Sequence, residues 1–97
     1  MELVSAKDMP MIQLKIAEVL EAQGKVNEAI EEYLKVTYLY SDNNTYSVKA
    51  LLRVAEIYEG MENFKEASNI YKRIIATSAE EAKYAKERLD WINQHVK

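Results

Sequence analysis

Apolar positions recur at helical spacing through most of the chain. Ile12, Ile16, Val19 and Leu20 fall at i, i+4, i+7 and i+8, and Leu51, Val54, Ala55 and Tyr58 at i, i+3, i+4 and i+7. Phe64, Ala67, Tyr71, Ile74 and Ile75 keep such a stripe, and Ala82, Ala85, Leu89, Ile92 and Val96 draw a last one. That period buries one face of an amphipathic helix. One stretch resists it. Val36, Thr37, Tyr38 and Tyr40 suit a strand, and Asp42-Asn43-Asn44 suits a turn, so locally the segment reads as a β-hairpin.

An internal repeat decides between the two. Leu14–Glu21 reads LKIAEVLE and Leu52–Glu59 reads LRVAEIYE; seven of the eight positions are identical or conservative, at an offset of 38 residues. The same offset carries Val26 to Phe64, Glu28 to Glu66, Ala29 to Ala67, Tyr33 to Tyr71, Lys35 to Arg73 and Val36 to Ile74. Periods of 20 to 50 residues mark stacked supersecondary units. Val36–Tyr40 therefore corresponds to Ile74–Ser78 at the end of a helix, and context outranks β propensity. Five helices are predicted, at roughly 9–23, 26–41, 45–60, 63–77 and 79–95. Asp8 can cap the first, with Pro10 in its first turn, and Asn44 or a neighbour the third. Asn63-x-x-Glu66 and Ser78-x-x-Glu81 read as starts of the fourth and fifth, the latter as a capping box.

These features resemble the tetratricopeptide repeat: Ala17 and Ala55, Tyr58, the turn glycine Gly24, Ala29 and Ala67, and Tyr33 and Tyr71 stand where that family has its small, aromatic and turn residues. The physics agrees. A small side chain lets paired helices lie close, and a ring fills the space beside it. The resemblance implies an all-α, right-handed α-solenoid: one domain over 1–97, with repeats at about 9–41 and 45–78 and a capping helix at about 79–95. End repeats must cover the last open apolar face. There are departures. Gln13 and Leu51 replace the first-helix tryptophan, Leu20 stands at the place of Tyr58, Ser41 and Ala79 replace a proline, and Glu62 stands where glycine is usual. The 38-residue period exceeds the usual 34. That length and the Ser47-x-x-Ala50 start look like bacterial envelope members, such as outer-membrane assembly lipoproteins and the Tol–Pal coordinator.

Composition narrows the chemistry. In 97 residues there are two glycines, one proline and no cysteine, with a net charge of −3. Few breakers favour helices. Residues 1–45 carry about −4 and residues 46–97 about +1, so no basic surface exists for nucleic acid. The N-terminal stretch lacks the basic start and apolar run of a signal peptide, and no apolar run reaches the ~20 residues of a membrane span. Without cysteine there is no disulfide or thiolate chemistry, and one histidine, His95, near the C-terminal end cannot complete a triad or a zinc site. The glutamate pairs Glu18/Glu21, Glu31/Glu32, Glu56/Glu59 and Glu80/Glu81 have lysine or arginine nearby and read as solvated faces rather than acid–base pairs. No catalysis, metal or cofactor is expected.

Binding remains. The resemblance implies a concave groove lined by the first helix of each repeat, here Met11, Leu14, Glu18 and Glu21, then Lys49, Leu52, Glu56 and Glu59. An apolar floor flanked by carboxylates suits a peptide or partner helix with apolar and basic residues. Leu14 and Glu18 replace the lysine and asparagine with which some members hold an acidic C-terminus. Burial of Leu14 and Leu52 under a neighbouring helix is the competing reading. Tyr84 and Trp91 point about 120° from the Ala85–Leu89–Ile92 stripe and form a candidate second contact surface. A longer repeat array or a second copy of the chain, giving a homo-oligomer, is the alternative to a foreign protein partner.

Overall fold

The computed structural model describes residues 9–41 and 44–96. Among them lie five helices and no strand: α1 (Met9–Ala22), α2 (Val26–Leu39), α3 (Thr45–Gly60), α4 (Phe64–Ile75) and α5 (Glu81–His95). The 38-residue register therefore prevails over the local strand propensity of 36–40. Val36 and Thr37 are buried within α2, and the Thr37 hydroxyl donates to the Leu34 carbonyl at 2.7 Å. Tyr40 turns extended and closes the helix by donating its N–H to Val36 O at 3.0 Å.

Consecutive helices pack as neighbours; α1 also touches α3, and α3 touches α5, whereas α2 and α4 do not meet. The first helices thus form the inner, concave row and the second helices the splayed outer row. The core runs between the rows. Ala17 and Ala29, and their counterparts Ala55 and Ala67, are fully buried, as are Leu51, Val54, Tyr71 and Ile74. Small residues at both partners let each hairpin close. Between hairpins, Ser47 and Ala50 are also fully buried, and the Ser47 hydroxyl reaches Val36 O at 3.3 Å. The Ser47-x-x-Ala50 pattern is the contact that brings α3 against α2.

α1 and α3 end in the same way. Lys25 N–H reaches back to Leu20 O (2.9 Å) and Asn63 N–H to Tyr58 O (2.8 Å), while Gly24 and Glu62 donate to Glu21 O and Glu59 O. This closure needs a left-handed residue. Gly24 supplies it at φ +80°, and Glu62 at φ +60° does so with a side chain attached.

Three expectations change. Ser78 does not cap α5: its N-cap is Glu80, without a side-chain cap bond, because Thr77 takes the turn by donating to Ile74 O and accepting from Ala79 N–H. Asn63 is the N-cap of α4 but makes no side-chain cap bond, whereas Asn44 caps α3 by accepting from Tyr46 N–H at 2.9 Å. The Ile12–Ile16–Val19 stripe is not core. α1 turns Leu14 and Ala17 inward, leaving Ile16 44% and Val19 54% exposed. Asp8 and the Asp42–Asn43 part of the turn lie outside the described residues.

Candidate functional site

The inner row carries two linked depressions. One, of about 150 Å³, is lined by Leu14, Glu18, Tyr33, Lys49, Leu52, Arg53 and Glu56. The other, of about 290 Å³, is lined by Glu56, Glu59, Gly60, Tyr84 and Arg88. Glu56 belongs to both, so they form one concave track from α1 across α3 to α5. Five of the eight groove residues expected from sequence share the first depression. Glu59 falls in the second, Glu21 sits between helices, and Met11 stands at the N-terminal edge, 38% exposed. Leu14 is 8% exposed and forms the wall's base, while Leu52 is half-buried and available. The lysine of the track, Lys49, lies 5.8 Å from the centre of the Tyr46 ring.

Two repeated clasps underlie this face. Tyr33 donates to Glu21 at 2.7 Å, and Arg53 Nε reaches both Glu21 oxygens at 2.9 Å, with a further contact from its terminal nitrogen. Tyr71 donates to Glu59 at 2.8 Å, and Arg88 engages the same carboxylate through Nε at 3.2 Å and a terminal nitrogen. Each glutamate thus ties its own hairpin's tyrosine to the next inner helix through a forked guanidinium, the strong form of a charged hydrogen bond. The Arg53 guanidinium holds the Glu21 carboxyl below the usual carboxylate range. At Glu59 burial pushes the other way, but the bonds from Arg88 and Tyr71 outweigh it. Burial first, and then the neighbouring carboxylate, pushes the Tyr33 and Tyr71 hydroxyls up.

The clasps change the electrostatics of the groove. Glu21 and Glu59 are committed to arginines, which leaves Glu18, 3.5 Å from the exposed Lys15, and Glu56 as the more accessible carboxylates. Glu56 keeps a 3.4 Å contact with Arg53 and accepts a long 3.5 Å bond from Tyr84. Of the expected second surface, Tyr84 lines the second depression, and Arg88, which shares it, lies 4.9 Å from the ring centre of the exposed Trp91. Trp91 in turn stacks on His95 at 4.5 Å, leaving it 39% exposed. The α5 stripe Tyr84–Arg88–Trp91–His95 extends the track.

Sequence reasoning missed Arg53, Arg88, Tyr33 and Tyr84 as groove residues. Arg53 and Arg88 lie 35 apart rather than 38, because α4 is two residues shorter than α2 and Arg88 stands one place earlier in its helix than Arg53. Aligning α5 on α3 at that offset would have exposed them. Among the described residues no group of His, Cys, Asp or Glu has the arrangement to hold a metal ion, and no helix is long and apolar enough to cross a membrane.

A family profile described as tetratricopeptide repeat matches residues 8–80, covering both hairpins. It matches the general repeat and does not support the envelope subtype. Neither the curated proteins nor the solved structures give a match. With two hairpins in one 38-residue register, small residues buried at each closure and a profile match over three quarters of its length, the chain belongs to the tetratricopeptide repeat family.

Proposed function

We propose that the concave track binds an extended peptide or a helix of a protein partner and does no chemistry on it. Tetratricopeptide repeats generally mediate protein–protein interaction and are typically not enzymes. The observation that carries the reading is the first depression. Leu52 offers apolar surface over the buried Leu14 and Tyr33, with Glu18 and Glu56 at its sides. An apolar partner side chain seats against Leu52, while a lysine or arginine reaches Glu18 or Glu56. The excess of carboxylates over Lys49, Arg53 and Arg88 is small, so charge sets orientation and approach more than affinity. Rigid clasps on either side keep the floor preformed, which lowers the ordering cost of binding.

Panning a phage-displayed random-peptide library on the protein tests this. Enriched peptides are expected to pair an apolar residue with a basic one and to lose binding to a Leu52→Asp variant of unchanged helicity. They should weaken several-fold on Glu18→Gln with Glu56→Gln. Enrichment of acidic peptides, or peptides indifferent to Leu52, contradicts the proposal.

A further inference from the structure

The two depressions of the inner row are built on one plan. At the 38-residue offset Glu18 and Glu21 of α1 correspond to Glu56 and Glu59 of α3, and Ala22 corresponds to Gly60. At the 35-residue offset between α3 and α5, Arg53 corresponds to Arg88 and Lys49 to Tyr84. Two of these exchanges change what the second depression can hold. The first depression has a lysine of its own, Lys49, on a wall shared with Glu18 and Glu56. In the second, Tyr84 takes that place beside Glu56, and Gly60 takes the place of Ala22.

The charges of the second depression do not cancel at Glu56. Arg88 and Glu59 neutralise each other through their forked pair. Arg53 is engaged mainly with Glu21 and stands 3.4 Å from Glu56, and the Tyr84 hydroxyl stands 3.5 Å from it. Both contacts are at the outer limit of a hydrogen bond. The Glu56 side chain is 36% exposed and keeps acceptor capacity to spare. Tyr84, 40% exposed, sets an aromatic ring beside it. A cation between a carboxylate and a ring gains from the charge and from the ring quadrupole together.

Gly60 fits the same use. Its φ is not left-handed, and a Cβ built there meets no heavy atom within 4 Å, so neither a turn nor packing requires glycine. Glycine in a helix is less favourable than the alanine at position 22. What glycine provides at 60 is a bare backbone on the wall of the depression, where a guest group can approach closely.

We propose that the second depression is a subsite for a lysine or arginine side chain of the bound partner segment, seated against Gly60 between Glu56 and the Tyr84 ring. The partner thus supplies the cation that Lys49 supplies in the first depression. The assignment rests on the concave track as the binding surface and gives that track a direction. The partner's apolar residue lies at Leu52 and its basic residue on the α5 side, because Lys49 repels a second cation in the first depression.

Two measurements test this. In the first, n-butylammonium chloride is titrated into protein carrying ¹³C-labelled glutamate, against sodium chloride at the same ionic strength. The Glu56 carboxyl resonance should move several-fold more than that of Glu18. Tyr84→Lys, which rebuilds the first depression's pattern, should abolish the difference, and Tyr84→Phe should keep it. Equal shifts at Glu18 and Glu56, or a Glu56 shift that survives Tyr84→Lys, overturn the proposal. In the second, the random-peptide library is panned on the parent, Tyr84→Lys and Glu56→Gln, each checked for unchanged helicity. Parent-selected peptides should carry the basic residue on one fixed side of the apolar one. Both variants should lose the basic preference and keep the dependence on Leu52, and Gly60→Ala should weaken the selected peptides several-fold. Leu52-dependent peptides whose basic preference survives both variants overturn the subsite and leave the groove standing. A Tyr84-dependent n-butylammonium shift without any Leu52-dependent peptide supports the subsite and overturns the groove.

Discussion

Neutralising Glu59 tests the clasps quantitatively. Its carboxylate is 16% exposed and Arg88 is 29% exposed, whereas in the first clasp Glu21 is 22% and Arg53 45% exposed. Fully exposed ion pairs contribute about 0.2–1 kcal/mol. The Glu21–Arg53 pair, nearly half in water on its arginine side, belongs near the top of that range. The Glu59–Arg88 pair is forked and better shielded, and its coupling should reach about 1–2 kcal/mol. Glu59→Gln keeps an oxygen for the Tyr71 hydroxyl and removes the charge. Glu59→Ala also strands that buried hydroxyl, for about 1 kcal/mol more. Urea unfolding of the parent, Glu59→Gln, Arg88→Gln and the double variant gives the coupling from a double-mutant cycle. The same cycle at Glu21 and Arg53 provides the comparison, and both couplings should shrink in high salt. A Glu59–Arg88 coupling below about 0.3 kcal/mol, or one weaker than that of Glu21–Arg53, refutes the assignment of the clasps as the ties between inner helices.

Other outcomes follow from the same structure. Gly24→Ala should cost about 1 kcal/mol, because φ +80° disfavours any Cβ. Glu62→Gly should leave stability unchanged or raise it by up to about 1 kcal/mol, because it relieves the same conformation at φ +60°; thermal melts of the two variants should therefore move differently. Ala29→Leu and Ala67→Leu, both at fully buried positions, should each lose about 1–3 kcal/mol in denaturant titrations by overpacking the hairpin closure. Glu21 and Glu59 have folded pKa values held below their unfolded ones. Their contribution is therefore full above the unfolded carboxylate range and is lost as pH falls through the lower folded values. Urea midpoints should be flat from about pH 8 to 5 with respect to these groups and fall below about pH 4, less so in Glu21→Gln/Glu59→Gln.

Much of the fold was legible because the repeat supplied long-range information that local propensity lacks. Tyr33 and Tyr71, 38 apart, locate Val36–Tyr40 at the end of a helix even though those residues favour a strand. The caps were less legible. Ser78 and Thr77 compete for one turn, and a hydroxyl bonded back to the Ile74 carbonyl leaves no spacing signature. Periodicity also cannot say which apolar face of α1 is covered. Ile12, Ile16 and Val19 form as good a stripe as Leu14 and Ala17, and the choice depends on whether a helix lies alongside. At the site, the family resemblance pointed to Leu14, Glu18, Lys49, Leu52 and Glu56, which line one depression on the inner row. The pairing of Glu21 and Glu59 with arginines 32 and 29 residues away depends on how the hairpins stack, so the groove seemed more acidic from sequence than it is.

The most direct test of the central claim is a titration of isotope-labelled protein with a library-selected peptide, followed through backbone amide resonances by NMR. Shifts should concentrate on the concave row, at Leu14, Glu18, Lys49, Leu52, Glu56 and Tyr84, and spread little onto the outer faces of α2 and α4. Shifts centred on Ile16 and Val19 or on the outer row, or saturation that leaves Leu52 unmoved, would contradict it.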